Sequence, residues 1–229
     1  MNIKEKQNNN IKIKVYKNKN DEKMDVTYPL PNTNSCVLFV GPPSSGKTNL
    51  MINLLDYYHG IFDYIYFFSP SINTLPKSFI NKLCDDRIYD NIRELGGIID
   101  ELMKTNDKKT LFIFDDMMKY MKDNKTMIDL VQNRRHISGG ATIWILTQKL
   151  RSVDLQIRTG ISHIIFFKMS YLIKTETDAL YDGFISGINK NEFNNLLSYV
   201  FNNEVKHTFL YIDVTNNKYY KNFNELSFS

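Results

Sequence analysis

The sequence predicts an α/β fold: a mostly parallel central sheet with helices on both faces and a β-hairpin at its C-terminal end. Five short apolar runs, rich in β-branched and aromatic residues, alternate with segments of helical spacing. Runs of this kind are typical of parallel strands that are buried on both faces of a sheet. A length of 229 residues is enough for one such domain and short for two.

The elements follow one another in a regular order. Strands of the central sheet are predicted at residues 35–40, 63–68, 109–114, 141–146 and 162–167. Helices are predicted at 47–58, 117–133, 173–182 and 190–200, and a polar, largely helical region at 75–103, interrupted by Gly96-Gly97, is expected to cover one edge of the sheet. Strand-like segments at 207–212 and 218–221 flank a turn at 215–217 and predict the hairpin.

Composition narrows the class of protein. A hydrophobic content of 42% and a charged content of 24% are ordinary for a globular domain, and no apolar run is long enough to cross a bilayer. The start of the chain is polar and has no apolar centre of a secretory signal, so we expect an intracellular protein. Cys36 and Cys84 have no partner at metal-binding spacing, which favours two free thiols.

The positive charge lies at the N-terminal end. Residues 1–23 hold seven lysines and three acidic residues, which accounts for the whole net charge of +4, because the remaining 22 basic and 22 acidic residues balance. Within this arm, residues 11–15 alternate apolar residues and lysines, as in an edge strand kept soluble by charge; the alternative is an arm that touches nucleic acid or an acidic partner. We predict a basic arm and linker at 1–31 that precedes the α/β domain at 32–229.

A phosphate-binding loop is predicted between the first strand and the first helix. Residues 41–48 read GPPSSGKT, which matches the pattern G-x-x-x-x-G-K-[ST] in the required strand, loop, helix context. Lys47 would reach the β- and γ-phosphates of ATP, and the Thr48 hydroxyl would bind Mg²⁺. The predicted nucleotide-binding residues are Gly41, Pro42, Pro43, Ser44, Ser45, Gly46, Lys47, Thr48 and Asn49.

A pair of carboxylates follows the third strand, at the sheet edge where parallel sheets bind ligands. Asp115 is predicted to hold Mg²⁺ together with Thr48. Asp116 is predicted to orient or deprotonate the attacking water, although Asp is also a favoured N-cap for a helix that starts near Met117.

Four further residues are polar and lie close to the ends of predicted strands or helices. Gln148 ends the fourth strand and suits a contact with the γ-phosphate or the attacking water; the alternative is a polar residue at the exit of a buried strand. Arg134 and Arg135 follow a helix, whose terminal carbonyls favour cations without any ligand. Arg158 precedes the fifth strand and by itself indicates little.

Taken together, these motifs resemble the FtsK/HerA superfamily of P-loop motors, and within it the genome-packaging ATPases of poxviruses, other nucleocytoplasmic large DNA viruses and virophages. The ordered set is GPPSSGKT at 41–48, LFIFDDM at 111–117, RRHISGGATIWILTQ at 134–148 and LQIRTGISHIIFF at 155–167. The resemblance implies that Asp116 is the catalytic acid and Gln148 a sensor. It further implies that Arg158 is an arginine finger that reaches a neighbouring subunit's nucleotide.

Two residues depart from the family pattern. Ser44 stands where such packaging enzymes usually have glycine, so it must adopt the loop's backbone geometry with a Cβ atom. Asp116 stands where the superfamily commonly has glutamate, so the shorter carboxylate must approach the water more closely. Each departure would slow turnover without removing the site.

The resemblance implies a ring of five or six subunits that hydrolyses ATP to drive double-stranded DNA into a preformed capsid, in the host cytoplasm or viral factory. Its partners would be DNA and a capsid, portal-vertex or membrane protein of the virion. Candidate DNA-binding residues are Arg134, Arg135, Lys149 and Arg151. The alternatives are another FtsK/HerA-type translocase or helicase, a non-hydrolysing ATP-binding assembly scaffold and, less favoured, a metabolic kinase.

Overall fold

The computed structural model describes residues 26–81, 83, 85–169, 174–202 and 206–228. Its strands are β1 (Cys36–Val40), β2 (Tyr64–Phe68), β3 (Ile88–Tyr89), β4 (Thr110–Asp115), β5 (Ala141–Thr147), β6 (His163–Phe167), β7 (Phe209–Asp213), β8 (Lys218–Lys221) and β9 (Asn224–Leu226). Its α-helices are α1 (Lys47–Tyr57), α2 (Lys77–Ile80), α3 (Leu95–Lys104), α4 (Met118–Met121), α5 (Lys125–Asn133), α6 (Leu155–Arg158), α7 (Lys174–Phe184) and α8 (Lys190–Phe201). Short 3₁₀ turns are formed by Ile72–Thr74, Asp85–Arg87, Arg134–His136 and Leu150–Ser152.

In the described residues the strands form one nine-stranded sheet in the order β3-β2-β4-β5-β1-β6-β7-β8-β9. Pairing is parallel from β3 to β6. The remaining pairings, β6 with β7, β7 with β8 and β8 with β9, are antiparallel. The predicted mostly parallel sheet and C-terminal hairpin are confirmed. The three-residue strand β9 is an addition to the hairpin that its polar sequence did not indicate.

Both faces of the sheet are covered, as predicted. Along β1, Leu38 and Val40 point to one face, where they join a core with α3, α5, α7 and α8. Phe39 points to the other face and packs with α1 and α2. Every residue of β1, β4 and β5 is buried, because helices lie against both sides of these strands. The carboxyl ends of the parallel strands therefore meet at one well-supported edge of the sheet.

Two predicted helical regions differ in the structure. The single helix predicted at 117–133 is two helices, α4 and α5, because the chain becomes extended at Lys122 and left-handed at Asp123, with φ +54°. Asn124 then starts α5 by accepting a hydrogen bond from the Met127 N–H. In the region at 75–103, Gly96 and Gly97 lie inside α3 rather than interrupting it.

The residues just before β1 pack onto the sheet. The Tyr28 hydroxyl hydrogen-bonds to Glu225, the Tyr211 hydroxyl donates to the Pro29 carbonyl over 2.8 Å, and the Tyr58 hydroxyl donates to the Pro31 carbonyl over 2.5 Å. The described part of the predicted linker is thus held by side chains of the domain. The predicted edge strand at 11–15 and the thiol of Cys84 lie outside the described residues.

The structure shows the environment of one of the two cysteines. Cys36 is a free, buried thiol, and its burial raises the pKa of the thiol to about 12, so it is an inert core residue. Among the residues that the structure describes, no helix combines the length and apolar character needed to span a bilayer.

Candidate active site

The loop between β1 and α1 carries the predicted phosphate-binding motif. A Cβ atom at Gly41 would lie 2.7 Å from the Cβ of Phe167 and 2.8 Å from the Oγ of Ser45, so only glycine fits where the chain leaves the sheet. Gly46 has φ +102° and directly precedes α1. The first N–H groups of a helix have no intrahelical acceptors, so the loop and the start of α1 together form an anion site.

Ser44 has the left-handed backbone that its position in the motif requires. Its φ is +61°, a conformation that glycine adopts freely and that costs a residue with a Cβ about 1 kcal/mol. Ser44 therefore adopts the predicted loop geometry despite its Cβ atom. The serine hydroxyl is part of the cleft lining.

Lys47 lies beneath the loop with only 8% of its surface exposed. Its ammonium donates to the carbonyl oxygens of Gly41 over 2.7 Å and Pro42 over 3.1 Å. Burial lowers the pKa of Lys47, whereas the negative charges of Asp116 and Asp115 raise it. The two loop carbonyls therefore fix the position of the Lys47 ammonium group.

Asp115 and Thr48 meet at the mouth of the loop. The Thr48 Oγ1 donates to the Asp115 Oδ2 over 3.3 Å. Burial, followed by the charge of Asp116, raises the pKa of Asp115 to about 6, while the Thr48 hydrogen bond and the Lys47 charge oppose that rise. A nearby cation would stabilise the ionised form of this carboxylate and so lower its pKa.

The oxygen atoms of Thr48 and Asp115 fit a hard cation such as Mg²⁺. Mg²⁺ is usually bound by one or two protein ligands and completes its shell with water and phosphate oxygens. A larger cage is not needed, and in the described part of the chain no group of three or more His, Cys, Asp or Glu side chains is arranged to hold a metal.

Asp116 and Gln148 form a second polar pair beside the first. The Gln148 Nε2 donates to the Asp116 Oδ2 over 2.9 Å. Asp116 is exposed, has φ +56°, and its N–H donates to the Leu146 carbonyl of β5 over 3.1 Å. Its carboxylate does not cap a helix, because the N-cap of α4 is Met117 and no side chain caps that helix. The alternative interpretation of Asp116 as a helix cap therefore has no support.

These groups line one cleft of about 380 Å³ at the carboxyl edge of the sheet. The opposite wall comes from the segment after β2, which sequence reasoning did not select: Ser71, Thr74, Leu75 and Pro76. Ser69-Pro70 marks the end of β2 in the sequence. Because β2 is parallel to β4, the segment that follows β2 starts at the same edge of the sheet as the aspartates. The cleft is thus lined by charged residues on one side and by small polar and apolar residues on the other.

Glu176 is a second residue that the sequence analysis missed. It lies in the first turn of α7 and is only 4% exposed. Its Oε2 accepts from the N–H of Leu150 over 2.7 Å and approaches the N–H of Arg151 at 3.4 Å. The carboxylate therefore anchors the segment that follows Gln148. A single glutamate at the start of a predicted helix carries no sequence signal for such a contact.

Two of the predicted arginines, Arg158 and Arg134, are not among the described residues that line this cleft. The Arg158 Nε donates to the Val153 carbonyl over 2.9 Å. Arg134 donates from Nε to the Asn34 carbonyl over 2.7 Å and from Nη1 to the Val131 carbonyl over 2.6 Å. Arg134 therefore braces the segment before β1 in this chain.

The other predicted DNA-binding residues are exposed. Arg135 lies in the 3₁₀ turn after α5, while Lys149 and Arg151 follow β5 at the edge that carries the cleft. Lys149 and Arg151 are therefore close in the chain to Gln148, and Arg135 is not. Their roles in DNA binding stay predictions.

A comparison with protein families identifies the group to which this chain belongs. Residues 28–172, well over half of the chain, match the family model described as Poxvirus A32 protein. The chain belongs to the poxvirus A32 protein family. The matched region of this A32-family chain includes the phosphate-binding loop, both aspartates, Gln148 and Arg158. A comparison with curated protein sequences finds no match.

Solved structures share the fold of this A32-family chain. The genome packaging NTPase B204 from Sulfolobus turreted icosahedral virus 2, in complex with ATP-gammaS, is 16% identical with a TM-score of 0.59, over 84% of this chain and 98% of that one. EssC (ATPases 2 and 3) from Geobacillus thermodenitrificans is 11% identical with a TM-score of 0.56, over 84% of this chain and 40% of that one. The pCW3 conjugation coupling protein TcpA is 11% identical with a TM-score of 0.56, over 86% and 60%. The family match confirms the predicted resemblance to a poxvirus protein family, and the solved structures show that the fold is shared.

Proposed function

We propose that this A32-family chain hydrolyses ATP with Mg²⁺ in a ring of five or six subunits and thereby drives double-stranded DNA into a preformed capsid. The observation that carries the proposal is the pairing of Thr48 with Asp115 at 3.3 Å and of Gln148 with Asp116 at 2.9 Å in one cleft. The first pair suits a metal and the second suits an attacking water. Membership of the poxvirus A32 family supports the biological setting.

Nucleotide binding would begin at the loop. The backbone N–H groups of the loop and of the start of α1 would face the phosphates, and Lys47 would exchange the carbonyls of Gly41 and Pro42 for phosphate oxygens. Thr48 and Asp115 would hold Mg²⁺, which supplies neutralisation of charge on the transferred phosphoryl group.

Hydrolysis would use the second polar pair. Asp116, oriented by the amide of Gln148, would position a water and accept one of its protons as the water oxygen bonds to the γ-phosphorus. The bond from that phosphorus to the bridging oxygen breaks, so that ADP leaves with the electron pair and Lys47 offsets its charge. Arg158 would act on a neighbour's nucleotide, which agrees with its position outside its own cleft.

DNA would be engaged by cations near the cleft. Lys149 and Arg151 follow directly after Gln148, so a change at the γ-phosphate could move them; Arg135 and Arg134 are the further candidates. Phosphate contacts of this kind give sequence-independent binding that weakens as salt rises. We place the protein in the host cytoplasm or viral factory, with a capsid, portal-vertex or membrane protein of the virion as its docking partner.

Hydrolysis is tested with the purified full chain, ATP and Mg²⁺. Lys47→Ala should lose both nucleotide binding and turnover, whereas Asp116→Asn should keep binding and lose turnover by about 100-fold or more, because it removes the proton acceptor. Lys104→Ala and Asp100→Asn, both exposed on α3, are the matched controls and should behave as wild type.

Three outcomes would contradict parts of the proposal. Turnover by Lys47→Ala would remove the loop assignment, and unchanged turnover by Asp116→Asn would remove Asp116 from the chemistry. ATP binding without hydrolysis in the wild type would instead favour the assembly scaffold.

A second candidate function is DNA movement by a related translocase in a process other than packaging. The support for this candidate is the similarity in fold to the conjugation coupling protein TcpA, at a TM-score of 0.56. A virus that carries Asp116→Asn should accumulate DNA-free capsids if the chain packages genomes. Normal filling of capsids by that virus would favour the second candidate.

A further inference from the structure

An exposed histidine lies against the phosphate-binding loop, on the side away from the two aspartates. The Nδ1 of His207 is 2.9 Å from the Ser45 carbonyl oxygen, although 162 residues separate the two in the chain. Since a carbonyl oxygen can only accept, Nδ1 carries the proton in this contact. His207 has φ +68°, a left-handed backbone that places it just before β7.

The ring of His207 is packed closely on the loop. A Cβ atom at Gly46 would lie 2.9 Å from the ring Nδ1 and 3.3 Å from its Cγ. Glycine at position 46 is therefore required both by its own φ of +102° and by the approach of the ring. The His207 side chain contacts the loop and is exposed to solvent.

The order of the strands places His207 and the two aspartates on opposite sides of the loop. β1 has β5 and then β4 on one side, and β6 and then β7 on the other. Asp115 ends β4 and Gln148 directly follows β5, so the proposed metal and terminal phosphate lie on that side of the loop. His207 lies on the opposite side of the loop, just before β7, so a nucleotide that runs across the loop from this terminal phosphate would carry its base toward His207.

We propose that His207 binds the nucleoside part of the nucleotide by stacking on its base, and so makes the loop select nucleotides over bare polyphosphates. The proposal rests on the proposed function only in requiring that the loop bind a nucleotide, not that the nucleotide be hydrolysed. An aromatic ring under a base suits this role, since every base has a π-face and stacking contributes a measurable share of affinity. The competing interpretation is a histidine that only braces the loop through Ser45.

The test compares a nucleotide with inorganic tripolyphosphate as the probe. Equilibrium binding of ADP, of a slowly hydrolysed ATP analogue and of tripolyphosphate is measured for wild type and for His207→Ala. The proposal expects binding of both nucleotides to weaken about tenfold while tripolyphosphate binding is unchanged. His59→Ala, which removes an exposed histidine just beyond the C-terminal end of α1, is the matched control.

A second variant separates recognition from bracing. His207→Asn retains an N–H donor for the Ser45 carbonyl but has no ring. If the ring binds the base, His207→Asn behaves like His207→Ala; if bracing is the whole role, it behaves like wild type and overturns the proposal.

Two further results would overturn the proposal. One is an equal loss of nucleotide and tripolyphosphate binding in His207→Ala, and the other is unchanged binding of both. Tripolyphosphate binding also reports that the loop of each variant is folded. Wild-type binding without hydrolysis would reject the proposed motor and leave this inference standing.

Discussion

At the scale of single residues, the cleft is a set of polar groups that are each held by one strong neighbour. Lys47 is held by loop carbonyls, Asp115 by Thr48, and Asp116 by Gln148. Such pairing offsets the cost of burying polar and charged groups, and in the proposed function phosphate, metal and water would replace these partners. The residue types and their spacing made these positions predictable from the motif, whereas the partners were not.

Outside the cleft, His163 makes the stability of the protein depend on pH. It is largely buried at the start of β6, where its Nδ1 lies 2.9 Å from the Ser162 Oγ and its Nε2 lies 3.7 Å from an Asp213 oxygen. Burial lowers the pKa of His163 to about 4, against the opposing charge of Asp213. The unfolded chain, with an ordinary histidine pKa, therefore binds more protons than the folded chain between about pH 4 and 6.5.

We predict that the free energy of unfolding falls as the pH drops from about 6.5 to 4, with His163 contributing about 3 kcal/mol to that loss. His163→Asn removes the titrating ring and should flatten this part of the profile, although it loses the ring contact with Tyr211. Urea unfolding at several pH values measures the effect, with exposed His59→Asn as the control. An equally steep profile in His163→Asn would rule out the assignment.

At the scale of elements, helices and strands were predictable where one periodic pattern extended over many residues. α1, α7 and α8 lie close to their predicted bounds, and α8 starts with a capping box in which Asn189 and Glu192 exchange hydrogen bonds. The break between α4 and α5 was missed, because the stretch 117–133 is apolar at helical spacing and the left-handed backbone at Asp123 leaves no strong signal. The two-residue strand β3 is too short to show a period.

Contacts between elements complete the site, and Glu176 is the clearest case. Its carboxylate in α7 anchors the Leu150 N–H, two residues beyond the amide of Gln148. A buried N–H that loses its acceptor costs about 1–3 kcal/mol, and the segment can relieve that cost by moving.

We predict that Glu176→Ala lowers kcat about tenfold with little change in ATP affinity, because Gln148 is displaced while the loop stays intact. Glu176→Gln retains an acceptor oxygen and should lie between Glu176→Ala and wild type. Steady-state ATPase kinetics and nucleotide titrations separate kcat from binding, and exposed Glu101→Gln on α3 is the control. A loss of affinity equal to the loss of kcat would indicate general damage instead.

At the scale of the whole molecule, the sheet brings four separate segments to one edge. The loop follows β1, Asp115 ends β4 with Asp116 next to it, Gln148 follows β5, and the wall from Ser71 to Pro76 follows β2. Arg158 lies outside this group, so its proposed partner is the nucleotide of another subunit. This makes the assembly, rather than the chain, the unit of catalysis in the proposed function.

Mixing subunits tests the shared site. Arg158→Ala and Lys47→Ala rings should each be inactive, whereas rings mixed in equal amounts should regain about a quarter of wild-type turnover per subunit, since half the loops are intact and half of their neighbours supply Arg158. The measurement is ATP hydrolysis after co-refolding or subunit exchange. No recovery at any ratio, with exchange verified, would argue against a role in trans.

The α/β class, the positions of the main strands, the loop at 41–48 and the two carboxylates at the end of β4 were all predictable from the sequence. These are local features: an apolar run, a glycine pattern or a charge at a strand end is written in consecutive residues. Only the tertiary structure decided that Gln148 meets Asp116, that Glu176 anchors the next segment, that Arg134 is engaged within its own chain and that His207 lies on Ser45. The partners in these contacts are separated by 26 to 162 residues of the chain and are brought together by strand order and helix packing. Arg134 makes one additional, local contact with Val131. Such contacts depend on the simultaneous packing of segments that are far apart in the sequence. A pattern of consecutive residues therefore does not predict them.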